Sequence, residues 1–122
     1  AFAKPEKRVI ALIGDGAAMY SLQAIWTAAQ HKLPVTYVIL NNQGYGAMRA
    51  FGKILQAKNV PGIDVTGLDF ASLATGMDCP SVRVDKADDF KAALTESMNA
   101  QGPYLIEVAV DPKIPELYGI ED

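Results

Sequence analysis

An aspartate between two glycines, Gly14-Asp15-Gly16, is followed twenty-seven positions later by Asn42, the second member of Asn41-Asn42. Each group comes directly after an apolar run. A carboxylate and a carboxamide beside glycine-freed backbone form a hard, all-oxygen nest, the kind of donor set that Mg²⁺ and an attached diphosphate require. Mg²⁺ takes about six oxygens near octahedral geometry, commonly with few from protein. Asp15 would supply an anionic oxygen, the Asn42 side chain a neutral one, and the backbone carbonyl of Gly44 a third; phosphate oxygens and water would complete the shell. The glycines let the backbone approach phosphate, and amides near Ala17 and Ala18 would aim the positive end of a helix dipole at it. Both groups also have a plainer reading, as polar turns that end strands.

The surrounding pattern supplies elements to hold such a nest. Val9-Ile10-Ala11-Leu12-Ile13 is apolar without alternation, the pattern of a strand buried on both faces of a parallel sheet. Val35 to Leu40 and Leu105 to Val110 read alike, interrupted by Thr36 and Glu107. Between the first two runs, Leu22, Ile25, Trp26 and Ala29 form one helical stripe that Ser21 would cap and that must end before Pro34. Met48, Phe51 and Leu55 mark a shorter helix, Asn59 to Gly67 an irregular loop, and Asp69 the cap of a third helix reaching about Thr75. Ser81 to Val84 reads as a brief strand. Phe90, Ala93, Leu94 and Met98 stripe a last helix, which Asp88-Asp89 favour at its start and Gly102-Pro103 stop at its end. The order predicts an α/β fold: an open, mostly parallel sheet flanked by helices, with ligands beyond the carboxyl ends of the strands. Both polar groups lie at such ends. Residues 1–122 read as one domain whose tail, from Asp111 to Asp122, leaves the body or reaches for a neighbour.

Composition narrows the partners. A formal charge of −3 leaves no basic face to neutralise a nucleic-acid backbone. Hydrophobic residues make up 50% of the chain, yet no run is long enough for a membrane span and no signal-peptide layout opens the sequence. A lone cysteine, Cys79, points to a reducing compartment, with the cytoplasm as the expected location and burial as a small residue its expected role. The absence of an initiator Met suggests a piece of a longer protein.

The stretch from Gly14-Asp15-Gly16 to Asn41-Asn42 resembles the signature of thiamine diphosphate enzymes, Gly-Asp-Gly and then Asn-Asn. Ala17-Ala18-Met19-Tyr20-Ser21, Ile25-Trp26-Thr27-Ala28-Ala29-Gln30, Tyr45-Gly46-Ala47-Met48-Arg49, Asn59-Val60-Pro61-Gly62-Ile63-Asp64 and Gly102-Pro103-Tyr104-Leu105-Ile106-Glu107-Val108 extend the likeness. Within the family they look most like the benzoylformate decarboxylase branch, over about Glu6 to Val110. The resemblance implies a C-terminal diphosphate-binding domain with Asp15, Asn42 and Gly44 as Mg²⁺ ligands and Gly16, Ala17 and Tyr45 against the diphosphate of thiamine diphosphate. Ala47 and Phe51 would face the aryl group of a 2-oxo acid, with Met48 and Ala50 reshaping that pocket. Ala17 stands where serine is frequent, which loses a hydroxyl but keeps the amide. Gly44 stands where threonine can occur, a harmless change if the carbonyl does the binding.

The implied reaction is decarboxylation of a 2-oxo acid, benzoylformate to benzaldehyde and CO₂, with the cofactor supplying the chemistry. No catalytic residue is assigned within this chain. The activating glutamate of the family belongs to a pyrimidine-binding domain of the same or a partner subunit in a homo-oligomer, so the fragment alone is expected to be inactive. Alternatives are an acetolactate synthase-like or benzaldehyde lyase-like enzyme, and a non-catalytic cofactor-binding or assembly module. A nucleotide-binding Rossmann domain is disfavoured, because no Gly-x-Gly-x-x-Gly follows the first strand. Among other polar and aromatic residues, His31 reads as a helix-end cation, Trp26 as core or subunit contact, and Glu107 as a paired structural carboxylate. Arg49 reads as a solvated residue with an anion contact as the alternative.

Overall fold

The computed structural model describes residues 1–113; most of the tail, and hence what was expected of it, lies outside the described residues. Strands β1 (Val9–Gly14), β2 (Val35–Asn41), β3 (Ser81–Val84) and β4 (Tyr104–Ala109) form one parallel sheet in the order β1-β2-β4-β3. Helices α1 (Asp15–Ala18), α2 (Ala24–Gln30), α3 (Gly46–Ile54), α4 (Phe70–Gly76) and α5 (Ala87–Asn99) alternate with them. The α/β class and the parallel sheet expected from the apolar runs are therefore present. None of the described helices is long and apolar enough to cross a membrane.

Parallel strands need helical crossovers, and these place apolar stripes on both faces. On one face Ile25 of α2 and Phe70 and Ala74 of α4 pack with Ile39, Cys79 and Leu105. On the other, Ala93 of α5 meets Val84, Tyr104 and Ile106. Leu105 and Ile106, adjacent on β4, thus serve opposite cores, as the two-residue period of a strand requires. Thr36, the polar interruption of β2, is buried but satisfied: Arg8 donates to its hydroxyl at 3.1 Å, and that hydroxyl donates to Ser97 at 3.1 Å. Arg8 also donates to the Gly102 carbonyl at 3.0 Å, fastening the end of α5 to the start of β1.

Four expectations need correction. β1 is an edge strand, not a doubly buried one, and Leu12 is 67% exposed beside an exposed Ile10. These two side chains share the α5 side of the sheet, where α5 covers β3 and β4 instead. An apolar run does not by itself distinguish a central strand from one whose cover is elsewhere. The chain after β1 also breaks into two helices, with α2 beginning after Gln23 and no side-chain cap from Ser21. Consequently α2 buries Ile25 and Ala28 and turns Trp26 out, 55% exposed. On α5, Ser97 takes the buried place expected for Met98.

Asp69 performs as the sequence indicates. Its carboxylate accepts from the Ser72 amide at 2.8 Å and opens α4. That bond, with a second from the Ser72 hydroxyl, holds the Asp69 carboxyl below its ordinary range.

Candidate functional site

The parallel register places the ends of β1 and β2 side by side, Gly14 opposite Leu40, so the segments leaving them emerge together. Asp15 opens α1 and is only 2% exposed. One carboxylate oxygen accepts from the Gly16 amide at 2.8 Å, and the other from the Gly44 amide at 2.9 Å. The Gly44 amide is shared, because the Asn42 carboxamide oxygen also accepts from it at 3.3 Å. An oxygen of Asp15 and one of Asn42 thus converge on a single N–H. The Gly44 carbonyl accepts from the Gly46 amide at 3.0 Å and keeps a second lone pair.

A buried carboxylate loses several kcal/mol of hydration unless a charge or hydrogen bonds replace it. Asp15 has two amide donors, yet no Lys, Arg or His forms an ion pair with it among the described residues. The remaining donors around it are oxygens, the set that Mg²⁺ prefers. No cluster of three His, Cys, Asp or Glu side chains exists among the described residues. A site built on one carboxylate, one carboxamide and one carbonyl needs none. The residues therefore fit a hard divalent cation.

Gly16 gives the neighbouring aromatic ring its seat: a Cβ there would lie 2.6 Å from the ring carbons of Tyr45. Gly44 is equally confined, since a Cβ would run into the Arg49 guanidinium and come 2.7 Å from the Ile63 carbonyl oxygen. A side chain added here would force the loop to shift, so the local packing suits glycine, whose backbone carbonyl is the atom proposed to bind. Ala17 is exposed at the mouth of the site.

The turn between β2 and α3 is pinned from two sides. Gln43 sits in the left-handed region at φ 61°, where a side chain is disfavoured. The Asn41 side-chain oxygen accepts from its amide at 3.0 Å, while Arg49 and the Val65 amide donate to its carbonyl at 2.9 and 3.0 Å. Arg49 continues to Asp64 in a 2.7 Å ion pair, and Gly44 bridges to the same residue through the backbone. Arg49 is thus a clamp and not the solvated residue the sequence suggested. The Arg49–Asp64 spacing lies on no helical or strand period, so no sequence signal marked it.

Behind the turn, Glu107 is fully buried on β4. Its carboxylate accepts from Asn41 Nδ2 at 2.7 Å and from the Ala71 amide at 3.0 Å, with Arg83 Nε 3.9 Å away. It is the paired carboxylate expected, with a side-chain amide and a helix amide as its nearer partners. In front of the turn, Tyr20, Tyr45, Met48, Phe51 and Leu55 line an open apolar cleft of about 490 Å³, closed below by Val60 to Ile63. Met48, Phe51 and Leu55 face this cleft and not a core. Phe51 is among the lining residues; Ala47 is exposed one turn earlier on α3 and outside the lining. His31 lies at the far end of α2, its ring 5.4 Å from that of Phe2.

Comparison with known proteins gives this geometry a context. The profile of the family described as thiamine pyrophosphate enzyme, C-terminal TPP binding domain, matches residues 1–108. The chain is 41% identical over 106 residues to a benzoylformate decarboxylase of Pseudomonas aeruginosa, covering 87% of this chain and 20% of that protein. It is 30% identical over 108 residues to an acetolactate synthase of Bacillus subtilis, covering 88% and 19%. Among solved structures, a thiamine diphosphate-dependent 4-hydroxybenzoylformate decarboxylase of Rhodococcus jostii superposes with a TM-score of 0.89 at 46% identity, over 93% of this chain and 22% of that one. A benzoylformate decarboxylase of Polynucleobacter necessarius superposes at 0.90 with 33% identity, over 95% and 22%. The chain spans about a fifth of the length of these relatives. With the match running through both loop ends that meet at Asp15, this chain belongs to the thiamine pyrophosphate enzyme family, in the part that forms its C-terminal cofactor-binding domain.

Proposed function

We propose that this chain is the diphosphate- and Mg²⁺-holding part of a thiamine diphosphate-dependent 2-oxo acid decarboxylase, acting on an aromatic substrate such as benzoylformate to give the aldehyde and CO₂. The observation that carries it is the buried Asp15 carboxylate, which faces the Asn42 oxygen across one shared amide and forms no ion pair among the described residues. Asp15, Asn42 and the Gly44 carbonyl would hold the cation; Gly16, Ala17 and Tyr45 would border the diphosphate. Thiamine diphosphate, when bound, supplies the electron sink for loss of CO₂. The chain's own part is to bind and orient: the Gly16 and Gly44 amides fix the carboxylate, and the Arg49–Asp64 pair fixes the turn. The apolar cleft at Phe51 and Met48 would exclude water from an aryl group, with Ala47, exposed one turn before Phe51, as a second candidate contact. Three relatives named for benzoylformate-type substrates support the aromatic choice.

The glutamate and the pyrimidine-binding domain that complete the site would come from the rest of the protein or from a partner subunit of a homo-oligomer. A carboligase of the acetolactate synthase type is the second reading, favoured by the likeness to the Bacillus subtilis enzyme; product analysis of the full-length protein with benzoylformate and with pyruvate separates the two. Replacing Asp15 with asparagine in the full-length protein removes the anionic ligand at nearly constant volume. Calorimetric titration with Mg²⁺ and thiamine diphosphate is expected to show affinity falling by at least about tenfold. Unchanged binding would sink the cation assignment.

A further inference from the structure

Glu107 lies behind the cation site and touches none of the residues proposed to hold metal or diphosphate, yet its burial is complete. Both of its oxygens face N–H donors, Asn41 Nδ2 on one side and the Ala71 amide on the other. An acceptor on each side demands a carboxylate; a carboxamide in its place could accept from one and would present a second donor to the other. The contact with Asn41 also settles which way that side chain points. With Nδ2 held by Glu107, the Asn41 oxygen is left to accept from the Gln43 amide at 3.0 Å. That bond supports the left-handed conformation at Gln43, and the conformation delivers the Gly44 amide to Asp15 and Asn42.

We propose that Glu107 is a positioning residue for the cation site: its carboxylate orients the Asn41 amide, and Asn41 sets the turn that brings Asn42 and Gly44 to Asp15. This takes as its basis the cation site proposed above. The chain of contacts crosses the sheet from β4 to β2 and reaches the loop from inside the fold, whereas Arg49 and Asp64 hold the same loop from outside. Arg83 stands 3.9 Å from Glu107 and is half exposed, so its charge is screened and does not substitute for the two hydrogen bonds.

The test uses the full-length protein with excess thiamine diphosphate. Mn²⁺ is titrated and followed by electron paramagnetic resonance, below the unfolding transition of every variant. Glu107→Gln is expected to weaken Mn²⁺ binding roughly ten- to a hundredfold. Asn41→Ala is expected to do the same while leaving the Glu107 contact to α4 in place, which keeps the idea testable if Glu107→Gln folds poorly. The paired change Glu107→Gln with Asn41→Asp reverses the polarity of the contact. The carboxamide introduced on β4 would donate to the carboxylate introduced on β2 while accepting from the Ala71 amide, and that new carboxylate would still accept from the Gln43 amide. Mn²⁺ affinity is expected to return to within about threefold of wild type. Ser97→Ala, a buried change on α5, serves as the stability control and is expected to leave Mn²⁺ affinity unchanged. Wild-type affinity in folded Glu107→Gln or Asn41→Ala overturns the proposal while the cation site stands. Failure of the paired change to recover, or equal loss in Ser97→Ala, also overturns it. Absence of Mn²⁺ binding by the wild-type protein overturns the proposal together with the cation site.

Discussion

Asp15 and Asn42 stand far apart in the chain and yet share one amide hydrogen, that of Gly44, so neither oxygen can be understood alone. That they meet was legible in the sequence because each directly follows a strand end of a parallel sheet. The partners of Arg49 and Glu107 were not, since each finds its contact through a loop or a neighbouring strand. Cys79 illustrates a residue whose sequence reading was sufficient. It is 1% exposed, and burial pushes its thiol from 9.0 up to about 11. The folded state therefore retains a proton that the unfolded state releases between those values, so this contribution is fully present below pH 9 and is lost as pH rises toward 11. Cys79→Ser or Cys79→Ala is expected to remove that part of the alkaline decline in thermal midpoint, measured at pH 8 to 11. Disulfide reagents are expected to label wild-type Cys79 only at the rate of local opening.

Among the elements, α4 joins a surface cap to a buried anchor. Asp69 holds its first turn from outside, and Phe70, fully buried, fixes it to the sheet. The Asp69 carboxyl is held below its ordinary range by the Ser72 amide, so its stabilising effect is complete above the unfolded value of 3.8 and disappears as pH falls through the lower folded value. Asp69→Asn is expected to keep most of the cap but to flatten the acid limb of a thermal-midpoint profile, whereas Asp69→Ala lowers the midpoint throughout neutral pH. An acid limb that is identical in wild type and Asp69→Asn would contradict this. Helix starts with such a cap are readable from sequence, because the side chain and the amide it serves are three residues apart. The start of α2 was not readable in this way. No side chain caps it, and the preceding turns are set by the backbone, with the Ala24 amide donating to the Ser21 carbonyl at 2.9 Å.

At the scale of the whole molecule, the sheet is unevenly covered. β2 and β4 are buried on both faces, whereas β1, an edge strand among the described residues, exposes Leu12 and Ile10. Exposed apolar strand edges are sites where another chain segment pairs. The walls of the apolar cleft come from α3 and the loop after it, with little from β1. A site so open is expected to hold thiamine diphosphate weakly in the isolated 122-residue chain and to give no turnover of benzoylformate. Aldehyde formation by that chain, measured in a coupled dehydrogenase assay, would contradict the expectation; the full-length protein is expected to be active in the same assay.

The sequence alone determined the alternation of strands and helices, the parallel sheet and the two polar loop ends, because these depend on local periodicity and on residues adjacent to strand termini. The oxygen donors and glycines, by type, also carry the proposed Mg²⁺ and diphosphate assignment. Tertiary structure alone decided which strand lies at the edge, because hydrophobicity reports a preference for burial and not what is available to cover it. It likewise decided that Trp26 faces out, that Arg49 clamps Asp64, and that Glu107 reaches the Asn41 turn. Each of those outcomes depends on the register between strands and on the packing of segments distant in sequence, where no repeat of two or 3.6 residues applies.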